Sequence, residues 1–226
     1  MRTVPLDAVL FDLDGTLVRT FINFPALRLA VVERARSRFN APDAVLAMPD
    51  SLDIVAATLA ALPARERGAA RSDLYRVLKE HERRGCERPE AIPGATHLLT
   101  RLADAGIRVA VVTRNAREIA ASLCDDMGLR PDALIGREDT ETYKPHPEPV
   151  LVACKQLNVI PARAVVVGDL WADVASGKAA GCAFTIGIQW AYDPPDRFAD
   201  SEPTHVVGNL LEAGDILRRH VPAGTT

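Results

Sequence analysis

Cysteine is scarce in this chain and follows no pattern. The 226 residues hold four, Cys86, Cys124, Cys154 and Cys182, far apart and without a C-x-x-C pair. The five histidines form no H-x3-H pair. Such spacing writes neither a disulfide framework nor a zinc site, and free thiols in a reducing cytosol are expected. No apolar stretch approaches the roughly 20 residues that span a bilayer. The first residues, Met1-Arg2-Thr3-Val4-Pro5-Leu6-Asp7, lack the apolar centre of a secretion signal. A cytoplasmic protein with no membrane partner is therefore expected. Charge excess is missing too: the formal net charge is −3. That gives no general pull toward nucleic acid, and none is expected as a partner. No G-x-G-x-x-G follows an apolar run, which disfavours a dinucleotide-binding fold. Internal repeats and low-complexity segments are absent.

What is present is ordinary in bulk. The chain is 48% hydrophobic and 25% charged, as soluble globular proteins are. Its apolar part is mostly Ala, Val and Leu, enough for one large domain or two smaller ones. Short apolar runs predict strands at 8–11, 108–112, 133–135, 164–167, 183–188 and 205–207. Strands apolar on both faces belong in a covered parallel sheet. Helical patterns lie between them, at 96–105, from Asn115 to about Met127, at 148–157, 173–180 and 210–219. Asn115-Ala116-Arg117-Glu118 has the form of an N-cap with an acid three residues on. The tail 222–226 is expected to fray. The alternation predicts an α/β fold, a Rossmann-like parallel sheet core flanked by helices.

One stretch breaks the alternation. Between Arg19 and about Glu87 no strand is evident, and helical patterns cover 24–39, 52–62 and 64–84. The expected division is a core of residues 1–18 and 88–226 with an α-helical cap of residues 19–87 inserted after the first strand. Such an insertion belongs over the carboxyl ends of the strands, where open α/β sheets bind ligands. Phe24, Arg28 and Tyr75 are candidate substrate-facing residues in it.

Four pieces carry chemistry. The first is Val9-Leu10-Phe11-Asp12-Leu13-Asp14-Gly15-Thr16-Leu17-Val18. Residues i and i+2 of an extended chain share a face. Asp12 and Asp14 therefore project together from a strand end. Two acids aimed at one spot call for a divalent cation, with one acid as nucleophile and the other as proton carrier. The alternative is a simple turn, bent at Gly15 and capped by Asp14 or Thr16. The second piece, Val111-Val112-Thr113-Arg114-Asn115, ends a strand in a hydroxyl at a helix start. That is either a phosphate site or a plain cap. The third, Tyr143-Lys144-Pro145-His146-Pro147, puts a lysine in a stiff loop, because Pro145 keeps Lys144 extended. Its ammonium either meets a phosphate or carboxylate cluster or sits in solvent. The fourth, Val165-Val166-Val167-Gly168-Asp169-Leu170-Trp171-Ala172-Asp173, runs an apolar strand into one acid, with another at the next helix start. All four fall at carboxyl ends of expected strands. Together they offer carboxylates for Mg2+, a hydroxyl and a lysine for anionic oxygens, and two acids for chemistry.

Asp12-x-Asp14-Gly15-Thr16, then Thr113, then Lys144, then Gly168-Asp169-x-x-x-Asp173 resembles the haloacid dehalogenase superfamily of hydrolases. The resemblance covers the whole chain, and Lys144-Pro145-His146-Pro147 is similar to the phosphoglycolate phosphatase-like group within it. It implies a Mg2+-dependent phosphatase of a small phosphomonoester, of phosphoglycolate or sugar-phosphate type, acting through an aspartyl-phosphate. By the resemblance, Asp12 is the nucleophile and Asp14 the acid and base. Mg2+ is held by the Asp12 carboxylate, the Asp14 backbone carbonyl and Asp169, with Asp173 behind them. Thr113, Lys144 and the amides near Asn115 hold the phosphoryl oxygens. Two positions depart from the family pattern. Arg19 stands where relatives often carry an acid, and either attracts an anionic substrate or sits in solvent. Arg114 follows Thr113 where related sequences often differ. A phosphomutase or phosphotransferase on the same scaffold is the main alternative, and Thr16 argues against it. A receiver-like phospho-acceptor module needs only about half this length and carries no cap.

Overall fold

The computed structural model of the protein describes residues 5–194, 196–199 and 201–220. The expectations for the extreme N-terminus and for the tail 222–226 lie outside the described residues. Along the chain, β1 (Ala8–Phe11) leads through a turn into the short strand β2 (Val18–Arg19). Four helices follow: α1 (Phe24–Phe39), α2 (Asp43–Leu46), α3 (Ser51–Ala61) and α4 (Ala64–Gly85). Next come β3 (Glu90–Ala91), α5 (Ala95–Asp104), β4 (Arg108–Val112), α6 (Arg117–Asp126) and β5 (Ala133–Ile135). The chain continues through α7 (Glu148–Leu157), β6 (Ala164–Gly168), α8 (Trp171–Ala179) and β7 (Phe184–Ile188). It closes with β8 (His205–Val207) and α9 (Leu210–Arg218). These elements form two compact units, one of residues up to Thr20 and from Pro89 onward, the other Phe21–Arg88.

The first unit is a Rossmann-like α/β core. Its six strands are parallel, in the order β5-β4-β1-β6-β7-β8. Ala8, Leu10, Ala110, Val112, Ala164 and Val166 join Val150, Ala153, Cys154 and Leu157 of α7 in one apolar cluster. The alternate residues, Val9, Phe11, Val109, Val111, Val165 and Val167, are equally buried and point to the other face. There α5 and α9 pack together. Burial on both faces explains why the strands are continuous apolar runs rather than alternating ones. The four apolar positions of α7 recur at helical spacing, and Asn158 closes that helix in the left-handed conformation, φ 57°.

The strand order places the site. β1 lies between β4 and β6, so the chain winds one way to β4 and β5 and the other way to β6, β7 and β8. The carboxyl ends of β1, β4 and β6 meet at this reversal, where open α/β sheets hold ligands. A separate antiparallel pair, β2 with β3, joins Val18 to Ala91 and Arg19 to Glu90. The helical unit leaves and rejoins the core through this pair. The sequence pattern misses it, because two residues are too few to read as a strand.

Within the helical unit, α1 turns Leu27, Val31 and Ala35 inward, and α4 turns Ala70, Leu74 and Leu78 inward. Both stripes have four-residue spacing, as one buried helix face requires. The start of α1 is set by Asn23, whose side chain accepts from the Ala26 amide at 3.0 Å, and by Pro25 in the first turn. Asn40, at φ 49°, ends it.

Candidate active site

β1 delivers Asp12 and the turn behind it delivers Asp14. The Asp12 amide donates to the Val167 carbonyl at 2.9 Å, so sheet pairing with β6 continues to the acid itself. The turn that follows needs Gly15. Its φ is +85°, a left-handed conformation, and a Cβ there would stand 2.6 Å from Asp169 Oδ2. Thr16, fully buried, donates its hydroxyl to Asp169 Oδ1 at 3.2 Å. The Gly-Thr pair thus brings the β1 turn against the acid at the end of β6.

Lys144 is the centre of the site. Its Nζ lies 2.6 Å from Asp12 Oδ1, 2.6 Å from Asp173 Oδ1 and 2.7 Å from the Val112 carbonyl. The residue is 3% exposed. Taking an ammonium out of water costs several kcal/mol unless it is paired and fully hydrogen-bonded, and three oxygens meet that need. Burial alone would lower its proton affinity; the Asp12 and Asp173 carboxylates outweigh this and raise it. The loop carrying Lys144 is tied down. Glu148, in the first turn of α7, accepts from the Thr142 amide at 2.7 Å and its hydroxyl at 2.5 Å. Ser176 of α8 donates to the His146 carbonyl at 2.8 Å.

Asp14 is held from three sides. Thr20 donates to Oδ1 at 3.0 Å, and Thr113 and Asn115 Nδ2 each reach Oδ2 at 3.3 Å. Burial raises its proton affinity, and the Thr20 and Asn115 hydrogen bonds oppose the rise. Asp12 is likewise pushed up by burial, with Lys144 pulling the other way. Asp169 is pushed up to about 7, by burial first and then by Asp173, against Arg197. The carboxylate oxygens of Asp12, Asp169 and Asp173 can all lie within 4.8 Å of one another. Three hard oxygen donors at that spacing fit a divalent cation of the Mg2+ kind. Asp173, expected behind the other acids, joins this group. Its other oxygen accepts from the Leu170 amide at 3.0 Å.

The structure brings all seven sequence-predicted site residues, Asp12, Asp14, Thr113, Asn115, Lys144, Asp169 and Asp173, to one place. It also changes how some are used. Asn115 does not cap a helix. α6 starts at Arg117 with Ala116 as its flanking residue and no side-chain cap; the Asn115 Oδ1 accepts from the Ala116 amide at 2.7 Å, and its Nδ2 donates to Asp14, 101 residues away in sequence, at 3.3 Å. Arg19 pairs with Glu90 across the short ribbon at 3.6 Å and lies 6.0 Å over the Tyr192 ring. Arg114 lies 5.8 Å over the Tyr143 ring, and its carbonyl accepts from the buried Arg137 at 3.1 Å. In the helical unit, the Arg28 guanidinium is engaged by the carbonyls of Leu46 and Met48, at 2.7 to 3.0 Å, while Phe24 is exposed.

The sequence pattern gave no notice of the segment after β7. Trp190 Nε1 donates to the Gly15 carbonyl at 2.9 Å. Arg197 Nη2 lies 2.6 Å from Asp169 Oδ2, and its Nε donates to the Asp169 carbonyl. Its Nη1 meets Asp193 at 2.7 Å. The four-residue spacing of Asp193 and Arg197, just past a strand's carboxyl end, is the signal that could have pointed to them.

A parallel α/β core with paired acids after its central strand, a buried lysine and further acids after the neighbouring strand defines an enzyme of the hydrolase class. Residues 6–181 match the haloacid dehalogenase-like hydrolase family, and the chain belongs to that family. It is similar to the N-acetylmuramic acid 6-phosphate phosphatase of Pseudomonas aeruginosa, 30% identical over 233 residues, covering 97% of this chain and 98% of the relative. It is also similar to the phosphoglycolate phosphatase of Xanthomonas campestris, 32% identical over 209 residues, covering 90% of each. In fold it is similar to the crystal structure of a predicted phosphoglycolate phosphatase from Haemophilus somnus. That match has a TM-score of 0.62 and 22% identity, covering 95% of this chain and 97% of the other. Among the described residues no helix is long and apolar enough to cross a membrane.

Proposed function

We propose that the protein is a Mg2+-dependent phosphatase of small phosphomonoesters, of phosphoglycolate or sugar-phosphate type, working through a phosphorylated Asp12. The observation that carries this reading is the Lys144 ammonium, 2.6 Å from both Asp12 and Asp173, two acids that group with Asp169. The phosphatase names of the two relatives support the phosphoryl class of substrate.

In this reading Asp12 attacks phosphorus in line, forming an acyl phosphate as the ester bond to the leaving alkoxide breaks. Lys144 favours the ionised nucleophile against the burial that opposes it. Asp14 gives its proton to the leaving oxygen, and burial, which raises its proton affinity, favours that role. Asp14 then takes a proton from the water that attacks the acyl phosphate. The Thr113 hydroxyl, the Asn115 amide groups and Lys144 receive the phosphoryl oxygens as their charge spreads. The carboxylates of Asp12 and Asp169 and the backbone carbonyl of Asp14 would hold Mg2+, which would supply the rest of that charge neutralisation. Asp173 orients Lys144 and stands within reach of the same cation. The helical unit is assigned the cap's role of excluding water and selecting the leaving group.

Purified protein with MgCl2 is expected to hydrolyse p-nitrophenyl phosphate and to lose that activity in EDTA. Asp12→Asn should lower turnover by ~10³-fold or more, the scale seen when a nucleophile is removed. Undiminished turnover in that variant rejects the assignment.

A further inference from the structure

The acids of the site share their cations unequally. Lys144 serves Asp12 and Asp173, at 2.6 Å each. Asp169 is served from elsewhere, by Arg197 at 2.6 Å on Oδ2. Thr16 already fixes the orientation of that carboxylate through Oδ1, and Asp169 closes a strand pinned on both sides. Orientation is thus provided without Arg197, whereas the opposing charge comes from Arg197 first and from Lys144 only second. The Arg197 side chain is 21% exposed and Asp193, its second partner, 4%, so both ion pairs lie where water screens weakly. Phe198, buried next to Arg197, packs over Gly187 at the end of β7. Trp190 ties the other end of the segment to the Gly15 carbonyl. The guanidinium is therefore delivered to Asp169 by an anchored segment.

We infer that Arg197 is the resident counter-cation of Asp169, divided between Asp169 and Asp193, and that this division sets how strongly the site binds its divalent cation. The inference rests on the proposed metal role of Asp12 and Asp169. A positive charge on a metal-binding carboxylate competes with the metal for it. Removing Arg197 leaves the cluster more negative, which strengthens cation binding and destabilises the protein when no cation is present. Removing the charge of Asp193 instead gives Arg197 wholly to Asp169, which weakens cation binding. A residue that only orients Asp169 would act in the opposite sense, its loss weakening metal affinity by ~10–100-fold.

The experiment is calorimetric titration of the full-length protein with MgCl2, with the melting temperature measured in EDTA. Arg197→Met should tighten Mg2+ binding by roughly five- to tenfold, the scale of one partly buried charge contact, and lower the melting temperature in EDTA. Arg197→Lys should keep nearly the native affinity. Asp193→Asn, which keeps the guanidinium and serves should Arg197→Met not fold, should weaken Mg2+ binding. Unchanged or weaker binding in Arg197→Met, or unchanged or tighter binding in Asp193→Asn, overturns the inference while leaving the metal reading intact. Absence of Mg2+ binding to the native protein overturns both.

Discussion

At the scale of single residues, the site is an exercise in burying charge. Lys144 offsets two carboxylates in a place where an unpaired one would cost several kcal/mol. Replacing it with methionine should cost about 3–5 kcal/mol of stability, the usual loss when one member of a buried pair is removed. Thermal unfolding in EDTA measures this, and Mg2+ should restore part of the loss by taking over the charge of the acids. A melting temperature unchanged from the native protein would mean that Asp12 and Asp173 do not need the ammonium. Glu148 gives a pH test on the same loop. The hydrogen bond from the Thr142 hydroxyl, first among several causes, holds its carboxyl below the ordinary 4.5. A lowered folded value means stability present in full above 4.5 and lost as pH falls through the lower value. The difference in melting temperature between native protein and Glu148→Gln should therefore be steady near neutrality and close on the acid side of 4.5. Because the group is partly solvated, the difference should correspond to less than about 1 kcal/mol.

At the scale of elements, periodicity and caps carry most of the information. The predicted ranges 24–39, 108–112 and 148–157 coincide with α1, β4 and α7. Asn23 and Pro25 mark the start of α1, and Asn158 marks the end of α7. The predicted helix at 173–180 begins two residues late, because Asp173 is already in the first turn and accepts the Leu170 amide. α2, β2 and β3 were invisible: four or two residues give no period to detect. The helical unit has its own polar tie. Arg34 of α1 holds both oxygens of Asp73 in α4, at 2.8 and 2.9 Å, and Arg76 reaches Asp73 at 2.5 Å. Asp73→Ala should cost about 1–2 kcal/mol, as for a partly solvated carboxylate that accepts charge-assisted hydrogen bonds from two arginines. Hydrogen exchange should show the loss in α1 and α4 and leave β1 and β6 protected as before.

At the scale of the whole molecule, the parallel sheet reverses its winding beside β1 and so gathers residues separated by as many as 175 positions, as Gly15 and Trp190 are. Asp12, Thr113, Lys144 and Asp169 were legible because each ends an apolar run or stands in a proline-stiffened loop. Arg197 was not, because its catalytic-site partner is 28 residues away and its spacing from Asp193 says nothing of Asp169. Asn115 was legible as a residue but not in its use, since local capping and a long-range hydrogen bond look alike in sequence. The central claim is that Asp12 carries the phosphoryl group during turnover. Acid-quenching the enzyme during turnover of phosphorus-labelled substrate, then mapping the labelled peptide, tests it most directly. Label is expected on the peptide containing Asp12 and absent in Asp12→Asn. Label on another residue, or steady turnover with no labelled protein at any quench time, would contradict it.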